Sequence, residues 1–181
     1  TLDVLACPSC LSDLVAPDGG QAEIEDGRLI CPAEDIHFPV TSGMPLLVRP
    51  NSEERIRAFE ASFAQAWSRD GWGGADEDYL FNLPERDVTG RHTQEWRVKF
   101  RSMEALFRIL DETHPPKVVD LGCGMGWLAH HLARRNYEVF AVDIVRDSDI
   151  GLGAAAQYAR RGPFSNGSGA RSKDRPFATH A

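Results

Sequence analysis

The N-terminal quarter of the chain alternates short apolar runs with turn residues. Apolar positions over residues 12–16 and 22–30 flank the turn Pro17-Asp18-Gly19-Gly20. Short apolar runs separated by Pro, Asp and Gly are typical of β-strands joined by a tight turn. We therefore predict a small β-rich module here.

The spacing of apolar residues changes after residue 50. It becomes three or four positions, as on one face of a helix. Ser52, followed by two glutamates, is a suitable start for a first helix, and the prolines after His114 end a second helix predicted over residues 93–112. We expect the apolar residues of both helices to lie in a core: Ile56, Phe59, Phe63 and Trp67 in the first, and Trp96, Phe100, Met103, Phe107 and Leu110 in the second.

The connection between these helices is rich in glycine and aromatic residues. Long connections with little regular structure often serve as lids or binding loops. Packing between elements is the competing interpretation, and it applies to the same four lid candidates: Trp72, Tyr79, Arg91 and His92.

Composition limits the class of protein without identifying it. The 181 residues are 42% hydrophobic and 26% charged, which predicts a soluble globular chain. No apolar run approaches the roughly 20 residues of a membrane helix, and no secretory signal pattern opens the sequence, so we expect no membrane partner and a cytoplasmic location. The net charge of −7 argues against a protein that coats nucleic acid electrostatically.

An apolar run flanked by charged residues at 117–121 predicts a buried parallel strand, and a glycine loop follows it. The pattern is Asp120-x-Gly122-x-Gly124-x-Gly126, and a second strand ends at Asp143. Glycines allow the backbone to turn tightly and approach a ligand. Ligands of parallel α/β sheets bind at the carboxyl ends of the strands, where an acid about 20 residues after the first glycines accepts ribose hydroxyls. The pattern therefore predicts a nucleotide-type cofactor site.

The glycine spacing favours one cofactor class over another. A dinucleotide fingerprint places a glycine where this chain has Trp127, and Asp120 would repel a pyrophosphate. A ligand with a cationic end fits better. The residues Asp120 to Gly126 together with Asp143 resemble the first two motifs of class I S-adenosylmethionine-dependent methyltransferases. The resemblance implies that the glycine loop faces the methionine part of S-adenosylmethionine and that Asp143 holds the ribose.

Three cysteines give the N-terminal module chemistry of its own. Cys7-Pro8-Ser9-Cys10 is a C-x-x-C knuckle, and Cys31 follows the predicted strands. Two such knuckles make a tetrahedral zinc site, whose metal supplies folding free energy to a small module. Cys7, Cys10 and Cys31 are therefore the candidate metal ligands. The sequence does not decide whether the fourth ligand is Glu34, Asp35, His37 or water. A ribbon fold that has lost its metal is the alternative.

Residues 2–49 resemble a small zinc-ribbon family. The resemblance rests on the opening segment through Cys10, on Leu29-Ile30-Cys31, and on the closing run Phe38 to Val48 with its Gly-x-Pro-Leu-Leu pattern. That family includes the activator subunit shared by tRNA and translation-factor methyltransferases. The resemblance implies a zinc ribbon placed ahead of a methyltransferase domain, with a slight preference for RNA or a translation component as the methyl acceptor.

The expected architecture is α/β: an incomplete Rossmann-like methyltransferase domain with a small N-terminal zinc-ribbon-like module and a helical linker. The expected segments are 1–49 for the ribbon, 50–116 for the helical linker or lid, 117–162 for the first half of the methyltransferase domain, and 163–181 for a loop or disordered tail, with a short strand remnant near Phe177.

The predicted function is methyl transfer from S-adenosylmethionine to an RNA, protein or small-molecule acceptor, by a chain that resembles the front half of such an enzyme. The alternative is a non-catalytic interaction module or a degenerate remnant. We also expect the uncovered sheet edge to favour self-association, because it offers unpaired backbone groups.

Overall fold

The computed structural model describes residues 4–17, 24–74, 76–161 and 178–180. It is a mixed α/β structure with a small cysteine-rich β module at the N-terminus. The module contains β1 (Gly27–Cys31), β2 (Ile36–Thr41) and β3 (Met44–Pro45), paired antiparallel in that order. The predicted turn at Pro17–Gly20 lies largely outside the described residues.

The predicted strand over residues 12–16 is reduced to isolated bridges. Asp13 pairs with Ala6, and Val15 pairs with Ile30 of β1. Leu14 and Leu29 on these segments are buried with Phe38 and the cysteines Cys7 and Cys31. The module therefore has its own small apolar core around the cysteines.

Helices occupy the middle of the chain. A 3-10 turn (Pro50–Ser52) leads into α1 (Glu53–Arg69), which is followed by α2 (Glu77–Asn82) and α3 (Thr93–Thr113). The short helix α2 begins where Asp76 accepts a hydrogen bond from the backbone N–H of Tyr79, an N-cap that was not predicted. Because Tyr79 and Leu80 are buried, this part of the connection packs into a core.

The expectation that both helices bury their apolar stripes is wrong for α1. Phe59, Phe63 and Trp67 remain 48%, 41% and 36% exposed, and no residue of α1 is buried. On α3, by contrast, four predicted core residues are buried: Trp96, Met103, Phe107 and Leu110. Periodicity predicts that one face is apolar, but tertiary packing decides whether anything covers that face.

The second sheet is parallel. It contains β4 (Lys117–Leu121), β5 (Glu138–Val142) and β6 (Ala178–His180) in that order, with α4 (Trp127–Arg134) connecting β4 to β5 and α5 (Leu152–Arg161) following β5. Residues 162–177 and 181 lie outside the described residues and include most of the tail predicted at 163–181, whereas Ala178–His180 form β6. Among the described residues, no helix is long and apolar enough to cross a membrane.

The prediction that β4 is a buried strand is wrong. Val119 and Leu121 are 62% and 80% exposed, and β4 pairs on one side only, with β5, among the described strands. The central strand β5 is the buried one, with Val139, Phe140 and Ala141 in the core. Two apolar cores lie beside this sheet. The first joins α3 with α4 and β5, and the second joins α2 with α5 and Trp96. Met44 of β3 packs against the first of them.

Candidate functional site

A cavity of about 600 Å³ opens at the carboxyl ends of β4 and β5. That volume is within the range of small-molecule sites. Asp120, Gly122, Gly124 and Asp143, four of the five predicted cofactor residues, line the cavity. Parallel strands end at one edge of a sheet, and for that reason motifs far apart in the sequence meet here.

Gly126, the fifth predicted residue, has a packing role. It is the N-cap of α4 with φ +75°, and a Cβ added there would lie 2.8 Å from the Cβ of Ala155 on α5. Gly122 differs, because a Cβ would meet nothing within 4 Å although φ is +74°. The missing side chain of Gly122 therefore leaves open space at the cavity, whereas that of Gly126 lets α4 and α5 approach each other.

The carboxylate of Asp143 holds the loop that follows β4. One oxygen accepts the backbone N–H of Gly124 at 2.7 Å and the other accepts that of Val145 at 2.8 Å. The backbone N–H groups of Gly122 and Cys123 both donate to the carbonyl oxygen of Val142. The glycine loop is thus fixed to the end of β5, and the remaining lone pairs of Asp143 can accept further donors.

Asp120 is the more unusual acid of the pair. Its Oδ2 atom is buried and has no hydrogen-bond partner among the described residues. Burial raises the pKa of the Asp120 carboxyl, the backbone N–H of Ala129 partly opposes that shift, and the charge of Asp143 raises the pKa further. A buried oxygen without a donor is energetically costly, so it favours a ligand that brings a donor or a positive charge.

Part of the remaining wall comes from residues outside the predicted site. Phe63 and Trp67 of α1, Trp96 and Lys99 of α3, and Ile150 line the cavity. The helix α1 is held beside it by Glu60, which accepts the backbone N–H of Arg146 at 2.7 Å and forms an ion pair with its guanidinium at 3.4 Å. The sequence signal for Lys99 is its position one turn from Trp96 on the apolar side of α3.

The lid candidates lie mainly in packed positions. Tyr79 is 1% exposed, and the ring of Trp72 stacks on that of His92 with centroids 3.7 Å apart. Neither Tyr79, Arg91 nor His92 lines the cavity. The contacts of Tyr79 and Trp72 favour the packing interpretation over a mobile lid. His130 is likewise structural, since it is buried and stacks on Tyr158.

The three predicted metal ligands come together in the N-terminal module. The Sγ atoms of Cys7, Cys10 and Cys31 all lie within 4.8 Å of one another, and those of Cys10 and Cys31 are 3.5 Å apart. Thiolates bound to one zinc at about 2.3 Å in a tetrahedron are separated by similar distances. Three cysteines could therefore bind zinc.

The surroundings of the three sulfur atoms differ, because burial raises the pKa of Cys31. The backbone N–H of Ser9 donates to the Sγ of Cys7 at 3.4 Å, and hydrogen bonds with Ser12 lower the pKa of Cys10. Among the described residues, no fourth Cys, His, Asp or Glu joins the cluster. His37 is exposed on β2 and lies 3.8 Å from Asp35 instead. The fourth position is thus open to a water molecule or a rearranged side chain.

The comparisons with known proteins concern the N-terminal module. A family described as Trm112p-like protein matches residues 1–43. A UPF0434 protein from Mannheimia succiniciproducens is 40% identical over 47 residues, which are 26% of this chain and 67% of that protein. No solved structure matches the chain. The chain therefore belongs to the UPF0434 family, and its residues 1–43 form a Trm112p-like zinc-ribbon module.

Proposed function

We propose that the cavity binds S-adenosylmethionine and that the chain is part of a methyltransferase acting on an acceptor of unassigned class. The observation that carries the proposal is the buried Oδ2 of Asp120 beside the glycine loop, which has no hydrogen-bond partner in the described part of the chain. S-Adenosylmethionine has an ammonium group and a sulfonium, and either would relieve the cost of that oxygen.

Each part of the cofactor has a counterpart among the cavity residues. The ribose hydroxyls would donate to Asp143, whose carboxylate retains free lone pairs, and the adenine would contact apolar walls such as Ile144 and Val145. The methionine end would lie along Gly122 and Gly124, near Asp120. When bound, the cofactor supplies an electrophilic methyl group, and its transfer depends mainly on proximity and orientation of the acceptor.

A dinucleotide is less compatible with these residues. Its pyrophosphate would lie at the start of α4, where a negative charge at Asp120 opposes it and Trp127 replaces the close-packing glycine. We also propose that the part of the chain that contains β4, β5 and β6 is Rossmann-like. Its support is the parallel order β4-β5-β6 with a helix between β4 and β5.

The zinc ribbon would act as an attached module of the same protein. Its resemblance to a methyltransferase activator subunit and the packing of Met44 against the core of the parallel sheet support a direct structural connection between the two parts. We propose zinc as its metal, held by Cys7, Cys10 and Cys31.

The second candidate function is a non-catalytic interaction module. Its support is the exposure of Val119 and Leu121 on β4, whose outer edge is unpaired among the described strands. Such an edge favours pairing with another chain, and self-association is the simplest form. Gel filtration at high protein concentration would detect it, and a clean monomer would contradict it.

Isothermal titration calorimetry with S-adenosylmethionine tests the cofactor proposal. We expect micromolar binding by the unmodified chain and a loss of about tenfold or more for Asp120→Asn, which removes the charge but keeps the shape. Asp149→Asn is the matched control, because Asp149 is exposed and does not line the cavity. A folded chain that does not bind, or that loses the same affinity in both variants, would contradict the proposal and favour the interaction module.

A further inference from the structure

Two turns of the N-terminal module share a pattern of residues and of backbone. They are Cys7-Pro8-Ser9-Cys10 and Cys31-Pro32-Ala33-Glu34. The residues that directly follow them, Leu11 and Asp35, both have a left-handed backbone, with φ angles of +64° and +52°. This conformation is uncommon for residues other than glycine, so its presence after both turns indicates that the chain takes a similar path through them. Glu34 therefore has the position in the second turn that Cys10 has in the first.

The sulfur atom of the first cysteine in each turn has a backbone hydrogen bond from within its own turn. The N–H of Ser9 donates to the Sγ of Cys7 at 3.4 Å. Burial raises the pKa of the Cys31 thiol, and a backbone hydrogen bond with Glu34 opposes that shift. In the first turn this arrangement brings the fourth residue, Cys10, into the cysteine cluster. In the second turn it places the backbone of Glu34 beside the sulfur of Cys31.

The register of β1 and β2 separates His37 from the cluster. Cys31 pairs directly with Ile36, and His37 pairs with Ile30. Directly paired residues share a face of the sheet and neighbours along a strand alternate, so His37 lies on the face opposite to that of Cys31. The side chain of Asp35 is 97% exposed, and its carboxylate lies 3.8 Å from the Nε2 of His37. Neither side chain is therefore directed at the three sulfur atoms.

The side chain of Glu34 can approach the cluster from its place in the turn. Glu34 is exposed, and its carboxylate lies outside the cysteine cluster in this conformation. Exposed side chains change rotamer within nanoseconds, and the backbone of Glu34 is already beside Cys31. Zinc in structural sites is almost always four-coordinate and accepts carboxylate oxygens as well as thiolates. A carboxylate at this position can thus supply the ligand that a second C-x-x-C knuckle would provide.

We infer that Glu34 is the fourth ligand of the zinc site, together with Cys7, Cys10 and Cys31. The inference rests on the proposal that the ribbon binds zinc and is independent of the cofactor proposed for the cavity. It gives the site three sulfur ligands and one oxygen ligand. Because a carboxylate is a harder ligand than a thiolate, this set is less selective for soft metals than four cysteines.

The zinc affinity of the full chain, measured by competition with a chromophoric chelator, tests the assignment. Three matched variants each remove one candidate ligand and keep a polar side chain: Glu34→Gln, Asp35→Asn and His37→Gln. Loss of a residue that only orients a ligand costs about tenfold in affinity, so loss of a ligand should cost at least as much. We expect Glu34→Gln to weaken zinc binding by about tenfold or more, and the other two variants to stay within about twofold of the unmodified chain.

Cobalt(II) in place of zinc gives a second measurement that does not depend on affinity. Thiolate ligands give cobalt(II) a charge-transfer absorption in the near ultraviolet. Glu34→Cys completes a second C-x-x-C knuckle, so this absorption should increase as four sulfur ligands replace three. Asp35→Cys is the matched control and should leave the absorption unchanged. These spectra also decide the question if Glu34→Gln does not fold, as judged by circular dichroism.

The outcomes separate the inference from the zinc proposal. If Glu34→Gln keeps the zinc affinity of the unmodified chain, water is the fourth ligand and the inference is overturned, while zinc binding by the cysteines stands. A comparable loss in Asp35→Asn or His37→Gln also overturns it, and so does cobalt absorption that fails to increase in Glu34→Cys or increases equally in Asp35→Cys. If the folded unmodified chain binds no zinc, the zinc proposal fails and the inference fails with it.

Discussion

The backbone N–H of Gly124 donates a hydrogen bond to the carboxylate of Asp143 over 2.7 Å. This bond joins the loop after β4 to the end of β5, so the acid at the end of β5 helps to shape the glycine loop. Asp143 is therefore both a candidate ribose ligand and a structural residue of the cavity.

Replacing Asp143 should reduce stability as well as cofactor binding. Asp143→Ala leaves the N–H groups of Gly124 and Val145 without their charged acceptor, and we expect the free energy of unfolding to fall by about 2 kcal/mol. Urea denaturation measures the loss. Asp149→Ala, at an exposed carboxylate, is the control. Equal stability of the two variants would show that Asp143 does not hold the loop.

Gly126 and Gly90 form a matched pair for separating backbone strain from steric overlap. Their φ angles are +75° and +71°, but only at Gly126 would a Cβ approach another side chain, that of Ala155, at 2.8 Å. We expect Gly90→Ala to cost about 1 kcal/mol from the left-handed backbone alone, and Gly126→Ala to cost clearly more. Thermal unfolding compares them. Equal losses would show that α4 and α5 can move apart without cost.

Zinc binding should depend on the cysteines of the ribbon and not on Cys123 of the glycine loop. Native mass spectrometry of the chain, purified without chelator, should show one zinc per molecule. Cys31→Ser should lose the metal, because Cys31 is fully buried beside Cys7 and Cys10. Cys123→Ser should keep it. Retention of a full equivalent by Cys31→Ser would exclude this cluster as the zinc site.

Metal removal should unfold the ribbon in particular. A segment with so small a core obtains much of its folding free energy from the metal. Addition of a strong chelator should therefore abolish amide protection in β1 and β2, measured by hydrogen exchange, and leave β5 protected. Unchanged protection in β1 and β2 would indicate that the apolar core of the module suffices without metal.

Acid should destabilise the fold through His130. Burial lowers its pKa to about 4, and the positive charges of His131 and Arg134 act in the same direction. In the unfolded chain the imidazole takes up its proton near pH 6.5. The stabilising contribution is therefore complete above about pH 6.5 and is lost as the pH falls toward 4.

His130→Phe should reduce this acid sensitivity. Phenylalanine can retain the stacking on Tyr158 and cannot be protonated. From pH 7 to pH 4 the free energy of unfolding should fall in both proteins, and the fall should be smaller in the variant by up to about 3 kcal/mol, as measured by urea denaturation. His114→Asn, at an exposed residue with a left-handed backbone that asparagine tolerates, should show the unmodified pH dependence. Identical profiles for all three proteins would exclude His130 as the cause.

The sequence was sufficient to predict which acids and glycines meet. Asp120 precedes the last residue of β4 and Asp143 directly follows β5. The carboxyl ends of parallel strands share one edge of a sheet, so local patterns determine the proximity of the two acids. The C-x-x-C knuckle and Cys31 were also predictable, since a ribbon brings its cysteines together.

Other parts of the site depend on long-range packing. Whether Phe63 and Trp67 are covered, and whether Lys99 faces the cavity, depends on how α1 and α3 pack against the sheet, which apolar spacing does not specify. The exposure of Val119 follows in the same way, because it depends on what lies beside β4. The fourth zinc ligand also stayed open, since Glu34, Asp35 and His37 are all near in sequence.

The most direct test of the central claim is to locate the bound cofactor on the chain. Titration of the nitrogen-15-labelled protein with S-adenosylmethionine, followed by amide NMR, reports each site separately. We predict shifts for the backbone amides of Gly122 and Gly124 and for the indole N–H groups of Trp67 and Trp96, with β1 and β2 unchanged. Absence of shifts in the cavity, or shifts confined to the zinc ribbon, would contradict the claim.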